Sequence, residues 1–409
     1  LEPSVVVEEL PLGPLDKDAI RALLGTPAVV DFFAETTGGQ LSALLSLLHH
    51  LPTDLSSLFA ARLDRLTERA LAELELLALA KRDLGMEDLV HAFRLAVRPT
   101  ETLRAALEEL QQARLIEGQS IDGMLTFSLC ERAERETIVA GLAPDSARVW
   151  HTLLAEVARR HAACSDTPVD DAVAEAEHLI AAAAGERAVD AAVSAAELLR
   201  QVAAPHRAIA LYRRAAALTT REELRGELDR RLHAVEIDIG DYQSALESAE
   251  RLRRREASVA NLLLVARTHL LRDEHTLALA VLEQGLAAHP DGLERDELTA
   301  LGAEAHYLRG DRRRAGEVVE AALPSVATPT HRIELCNTLG KVRLAAGQLD
   351  AAAQLFEHNI AAAVAASLPR EECRARFNLG IVELQRGQRG AAAGAYRTAL
   401  AIAERTGDV

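Results

Sequence analysis

Apolar residues recur at three- and four-residue steps along most of this chain, and the alternating apolar and polar runs that half-buried strands need are scarce. The spacing predicts helices over 31–51, 54–66 and 68–81, each opening on an acidic or capping residue, and two shorter ones over 86–94 and 101–112. After these, Leu115-Ile116-Glu117 and Met124-Leu125-Thr126-Phe127 face each other across a turn read as Gly118 to Gly123, a β-hairpin pattern. At the start, Val5, Val6 and Val7 form a brief strand-like run stopped by Pro11 and Pro14, followed by a helical stretch over 16–24. A lone strand must find a sheet for its backbone groups, and no second strand lies nearby. The sequence therefore reads as starting at the last strand of a domain whose remainder is absent, an expectation that the missing initiator Met supports.

The second half of the chain repeats a short grammar: a turn residue, Ala five positions later, and a second apolar, often large residue four positions after that. It reads Gly240, Ala245, Ala249; Asp273, Ala278, Leu282; Gly310, Ala315, Val319; Gly347, Ala352, Phe356; and Gly387, Ala392, Tyr396, with a weaker copy at Ala203, Ala208 and Tyr212. The central alanines at 208, 245, 278, 315, 352 and 392 are spaced by 37, 33, 37, 37 and 40 residues, a period that signals a solenoid. The turn residue stops one helix, Ala lets the next helix approach its neighbour closely, and the larger residue fills the space one turn on. A single hairpin of this kind cannot bury its own apolar face, so the copies must stack.

This grammar resembles the tetratricopeptide repeat. Leu379 and Gly380, then Gly387, Ala392, Tyr396 and Ala399, stand at that family's offsets, as do Leu339, Gly340, Gly347, Ala352 and Phe356 one repeat earlier. The other copies keep the turn and the Ala but lack the Leu-Gly pair. Periods above the family's usual length imply longer helices, a variant common in bacterial signalling proteins.

The first 165 residues do not follow the repeat. Helix, helix, hairpin is the ground plan of a winged helix, and the wording around it resembles the tail of a STAND-class or related AAA-type signalling ATPase. The phrases that carry this are Leu12-Gly13-Pro14-Leu15, Thr37-Gly38-Gly39-Gln40 before Leu41, Leu44 and Leu45, Leu51-Pro52, and Ala61-Arg62-Leu63-Asp64-Arg65-Leu66. Leu107, Leu110 and Leu115-Ile116 match the family's winged-helix ending, Trp150-His151 with Leu154-Ala155 its connecting helix, and residues 174–188, with His178 and Gly185, its first irregular repeat. Gly39, Gln40 and the phrase Phe127-Ser128-Leu129 depart from the family wording. The resemblance implies a mostly α fold: the end of an ATPase core and a helical lid over 1–76, a winged-helix-like domain and connecting helix over 77–165, and a tetratricopeptide-like α-solenoid over 166–409.

Composition narrows the function classes. The formal charge of -16 opposes direct nucleic-acid binding, because a duplex-binding face must neutralise phosphates with Lys and Arg. The basic runs, Arg251 with Arg253 to Arg255 and Arg312 to Arg314, are short and sit at helix ends, where solvated charge is expected. The helix over 101–114 sets Glu101, Glu108 and Glu109 against Arg104 and Arg114, so the winged-helix-like part reads as a spacer and not a DNA reader. No stretch reaches the ~20 apolar residues of a membrane span and no basic n-region opens the chain, so a cytoplasmic location is expected. Cys130, Cys164, Cys336 and Cys373 lack zinc spacing, and His49-His50, His161 near Cys164, and His269 with His275 have no completing ligand set, so neither disulfides nor metals are expected.

Catalytic motifs are missing: the sequence holds no GxxxxGK[ST], HExxH, GxSxG, HRD or DFG. No cofactor is expected in these residues, with ATP expected only in an upstream domain. What remains is surface. The family's offsets place Arg267, Glu304, Tyr307, Glu334, Asn337, Lys341, Arg374, Phe377 and Gln385 on the groove wall of the solenoid, where mixed charge suits a protein or peptide partner. The leading expectation is a non-catalytic regulatory and interaction segment of a larger signalling ATPase. Two others stay open: part of an ATP-dependent transcription activator, or the sensor region of a multidomain protein kinase or nucleotide cyclase.

Overall fold

The computed structural model describes Gln40 and residues 62–407, apart from positions 81, 98, 122–123, 131, 164–167, 289 and 291. The expected strand at Val5 to Val7, the helices over 16–24 and 31–51, most of the one over 54–66, and His49, His50 and Cys164 lie outside the described residues. The fold is mostly α: eighteen α-helices and one small sheet among the described residues. Clustering of the backbone divides the chain into two compact units, up to Ala195 and from Ala196.

The first unit opens with α1 (Glu68–Ala80), β1 (Leu84–Gly85) and α2 (Met86–Leu95). After a 3-10 turn at Thr100–Thr102 come α3 (Leu103–Gln112), β2 (Ile116–Ile121) and β3 (Met124–Leu129). The three strands form an antiparallel sheet in the order β1-β3-β2, with Leu84 opposite Phe127 and Gly118 opposite the same Phe127. The hairpin expected from sequence is present, but its turn is shorter than expected, because Gly118 to Ile121 belong to β2. The reason is steric: a Cβ on Gly118 would come within 3.3 Å of the Phe127 ring and 2.7 Å of the Gln111 amide. Glycine lets the strand pass under that ring, so it marks a close approach and not a turn. Leu74, Leu77, Leu89, Leu107, Leu110, Phe127 and Trp150 close one core beneath the sheet.

α4 (Arg132–Gly141), α5 (Pro144–Ala162) and α6 (Pro168–Ala181) complete this unit, and α7 (Glu186–Gln201) runs across the boundary. Trp150 of α5 donates its indole N–H to Glu75 at 2.9 Å, and Arg82 pairs with the buried Asp171 of α6 at 2.6 Å.

The second unit is a solenoid of tetratricopeptide-like hairpins, as the period predicts. Its helices are α8 (Pro205–Leu218), α9 (Glu222–Asp238), α10 (Tyr242–Arg255), α11 (Val259–Leu271), α12 (His275–Ala287), α13 (Gly292–Leu308), α14 (Arg312–Ala322), α15 (Pro329–Ala345), α16 (Leu349–Ala365), α17 (Pro369–Gln385) and α18 (Arg389–Thr406). All six turn residues of the grammar hold positive φ, from 55° at Ala203 to 93° at Gly310. At each, the next amide reaches back five residues to a helix carbonyl, as Asp241 does to Glu236 at 2.9 Å and Gln348 to Arg343 at 2.9 Å. These are Schellman closures, and only Gly adopts that φ without strain. All six central alanines are buried.

The Leu-Gly pair has a direct steric meaning. A Cβ on Gly340 would sit 2.6 Å from the Phe356 ring, and one on Gly380 would sit 2.5 Å from the Tyr396 ring. Seven residues before each turn, the chain carries Ala196, His233, Ala266, Ala303, Gly340 and Gly380, and nine after each turn it carries Tyr212, Ala249, Leu282, Val319, Phe356 and Tyr396. Gly meets an aromatic ring, Ala is matched with Tyr, Leu or Val, and at one hairpin the sizes invert to His and Ala. Packing to near-crystalline density requires this reciprocity.

The basic run at Arg251 is not simply solvated. Arg251 pairs with the buried Asp229 at 2.8 Å and bonds Ser248 at 2.8 Å, while Arg255 pairs with Glu222. Ser248 in turn donates to the fully buried Glu236 at 2.7 Å, which Arg213 neutralises at 2.8 Å. Taking a carboxylate out of water is expensive unless its lone pairs are met; Arg213 and Ser248 meet those of Glu236, while Oδ2 of Asp229 has only the Arg255 guanidinium 3.5 Å away.

Turn chemistry also creates an acid-sensitive group. Arg272, at 2.9 Å, and then His269, at 2.8 Å, hold the Glu274 carboxyl down at about 2, against an ordinary 4.5. A depressed carboxyl adds stability above its unfolded value and loses it as pH falls through the folded one. Thermal melts between pH 5 and pH 2 should therefore show a steeper decline for the native chain than for Glu274→Gln; parallel declines would remove this contribution.

Candidate functional site

The first helix of each hairpin lies beside the first helix of the next, so α11, α13, α15 and α17 form a row. All nine residues expected on the groove wall fall on these four helices. Side chains one repeat apart join the row: Arg267 of α11 pairs with Glu297 of α13 at 2.7 Å. Glu304 of α13 accepts from Thr338 at 2.9 Å and from Lys341 at 2.6 Å, both on α15. Lys341 also lies 5.0 Å from the centre of the Tyr307 ring, a cation-π distance.

Asn337 is the exception to the expected wall. It is buried, and its side-chain oxygen accepts from Asn378 of α17 at 2.8 Å. Its amide lies under the row as an inter-helix tie, because an unpaired amide at that depth would be costly. Glu304 and Lys341 are half-buried and serve the same joint. Substituting Asn337 or Lys341 therefore loosens α15 from its neighbours as well as altering any surface.

Arg267, Arg374, Phe377 and Gln385 are exposed, while Tyr307 and Glu334 are half-buried. Phe377 rests against Tyr396, with ring centres 5.4 Å apart and planes at 50°. Arg374 stands 3.5 Å from Glu371. Burial first, and then the Glu371 charge, push the Glu334 carboxyl above its ordinary range. The row thus presents cations, an aromatic edge and amides to solvent above a fixed polar joint.

Thr338, Asn378, Glu297 and Glu371 were missed from sequence. For the first three a signal existed: the pairs that join these helices are separated by 30, 34, 37 and 41 residues, so reading for complementary polar side chains one period apart finds them, whereas Glu371 pairs three residues along its own helix.

Elsewhere, His161 bonds Asp88 at 2.6 Å and His269 bonds Glu274, so these histidines have carboxylate partners. Cys336 is buried, Cys130 and Cys373 are half-buried, and the Cys373 thiol donates to the Ala399 carbonyl at 3.3 Å. Among the described residues no group of three His, Cys, Asp or Glu is placed to hold a metal. No described helix is long and apolar enough to cross a membrane.

No family model matches the chain. No curated protein matches it. Among solved structures, it is similar to a signal transduction ATPase with numerous domains (STAND) protein with a tetratricopeptide repeat sensor from Pyrococcus horikoshii, at 14% identity and a TM-score of 0.38 over 95% of this chain and 60% of that one. The chain thus spans less than two thirds of that protein's length. A tetratricopeptide repeat protein from Thermus thermophilus matches at 18% identity over 46% of this chain and 98% of its own, with a TM-score of 0.34. A putative kinesin light chain with nearly identical repeats from Podospora anserina matches at 21% over 46% and 96%, also at 0.34. At these scores the likenesses carry no functional argument.

Proposed function

We infer that this chain is a non-catalytic regulatory and protein-interaction segment of a larger signalling ATPase, and that it holds a protein or peptide partner along the row of first helices. The observation that carries the reading is that row itself. Four helices are tied by Arg267–Glu297, Glu304–Lys341 and Asn337–Asn378, and above those ties Arg267, Arg374, Phe377 and Gln385 stand in solvent. A rigid scaffold with exposed charge and an aromatic edge suits recognition of an extended or helical segment, since little ordering remains to be done on binding.

In the first unit, the order helix, strand, two helices, hairpin fits a winged helix, with α3 in the recognition position. Its charged residues are engaged within the unit: Arg104 pairs with Glu108, and Glu109 accepts from Thr67 at 2.8 Å. That favours a coupling element between an upstream nucleotide core, where any ATP would bind, and the repeats.

The exposed pair provides the test. Arg374→Ala together with Gln385→Ala should leave the melting temperature within about 2 °C, because both side chains are exposed and stand outside the ties between helices, and surface changes are worth only a few tenths of a kcal/mol. The same variant should lose partners that the native chain captures from lysate, quantified by mass spectrometry. Equal capture by both chains would contradict a partner held on this wall.

A further inference from the structure

Twelve residues past the six turns of the grammar stand Ala215, Leu252, Gly285, Ala322, Asn359 and Ala399. Only the fifth carries a polar side chain. Asn359 is fully buried, and its Nδ2 donates to the Ile333 carbonyl at 3.0 Å. That bond fixes which way the amide faces, because only the nitrogen can donate, and it leaves Oδ1 without a donor. A buried acceptor with no partner is costly, so it calls for a group that the chain itself does not supply. Asn359 also lines a cleft of about 140 Å³ between the start of α15 and the second half of α16. Buried Ile333 lies beside it, Ala362 adds an apolar wall, and exposed Arg332 and His358 stand at the rim. Arg332 donates to the Val326 carbonyl at 2.5 Å but, like His358, meets no carboxylate among the described residues. Ala327 is held in place on the remaining side, its amide donating to Asp296 at 3.2 Å. At roughly 30 Å³ per water, the cleft has room for about five waters or a ligand of about six non-hydrogen atoms.

We propose that this cleft binds a small hydroxy carboxylate, its hydroxyl donating to Oδ1 of Asn359 and its carboxylate held by Arg332 and His358. The base of the cleft lacks a donor, and its rim offers two side chains that donate hydrogen bonds and favour negative charge. A ligand that answers both carries an O–H or N–H at one end and an anionic acceptor at the other. An amino acid meets the first condition with an ammonium group, but in so small a site that cation would be crowded against Arg332. A hydroxyl supplies the donor without the charge. The short alkyl part of the ligand then lies against Ile333 and Ala362, which suits their apolar surface. None of the nine residues on the candidate wall lines the cleft, so the proposal does not depend on the partner reading above.

Titrating the 409-residue chain with lactate and with 3-hydroxybutyrate, followed by NMR at the Asn359 side-chain amide and the Arg332 Nε–H, tests this. Propionate and butyrate serve as counterparts that lack only the hydroxyl. At least one hydroxy acid should saturate both signals with a Kd of about 1 mM, in keeping with so few ligand atoms. It should bind at least about fivefold tighter than its counterpart, the factor that one hydrogen bond is worth. Arg332→Gln should weaken the hydroxy acid about tenfold. Asn359→Ala installs the residue that three sister hairpins carry, and it should bind the two members of a pair equally. Should either variant fail to fold, the preference of the native chain for the hydroxy acid still decides. Unmoved signals with both hydroxy acids up to ~20 mM would overturn the proposal and leave the cleft to water. Equal affinity of the native chain for both members of each pair, an affinity unchanged by Arg332→Gln, or a preference that survives Asn359→Ala would overturn it as well.

Discussion

Replacing Phe356 with Ala should destabilise the chain by about 3–5 kcal/mol, the range for emptying an aromatic core position. The ring is fully buried among Ala352, Ala353 and Val382, and it packs over Gly340, whose absent Cβ leaves the ring its space. The site cannot collapse easily, because α15 and α16 are fixed by the Gly347 closure and by Asn359, whose amide donates to the Ile333 carbonyl at 3.0 Å. Denaturant unfolding should show the loss as a lower midpoint. If Phe356→Ala costs less than about 1 kcal/mol, the ring does not hold the hairpin together in the way the structure implies.

The second large effect is electrostatic. Arg213→Met removes the cation that neutralises Glu236, whose carboxylate is fully buried between α9 and α10. Glu236 is buried but Arg213 is half in solvent, so losing this cation should destabilise the chain by about 1–3 kcal/mol, the cost of leaving a buried acceptor without its charged partner. Adding Glu236→Gln should recover much of that, because the neutral amide keeps an acceptor for Ser248 without a charge to solvate. Equal unfolding midpoints for the single and double variants would show that Glu236 finds another cation or reaches water.

The parts of this fold that were legible in the sequence are those written in local grammar. Gly240, Gly310, Gly347 and Gly387 end helices because positive φ is available to them, and the alanines five residues on are buried because close helix approach demands small side chains. These signals repeat at fixed spacing, so each copy reinforces the others. β1 was not legible: two residues carry no period, and Leu84 becomes a strand only because β3 arrives 43 positions later to pair with it. Gly118 misled because glycine signals a turn and a close approach alike, and only the Phe127 ring distinguishes them.

On the candidate wall, the helix assignments of all nine residues followed from the period, but their depths did not. Asn337 and Phe377 occupy the same register, yet one is buried and the other exposed, because a helix from the next hairpin covers only the first. The buried charges Glu236 and Asp229 were also invisible, since a periodic reading assigns carboxylates to the solvent face.

The central claim is that each hairpin closes by matching a small residue on one helix to a large one on the other. A double-mutant cycle tests it directly: Gly340→Ala and Phe356→Leu, singly and together, import the Ala266 and Leu282 combination of an earlier hairpin into a later one. The account predicts that both single variants lower the unfolding midpoint and that the double variant is more stable than the sum of the two losses, by about 1 kcal/mol or more. Strict additivity of the two losses would contradict it.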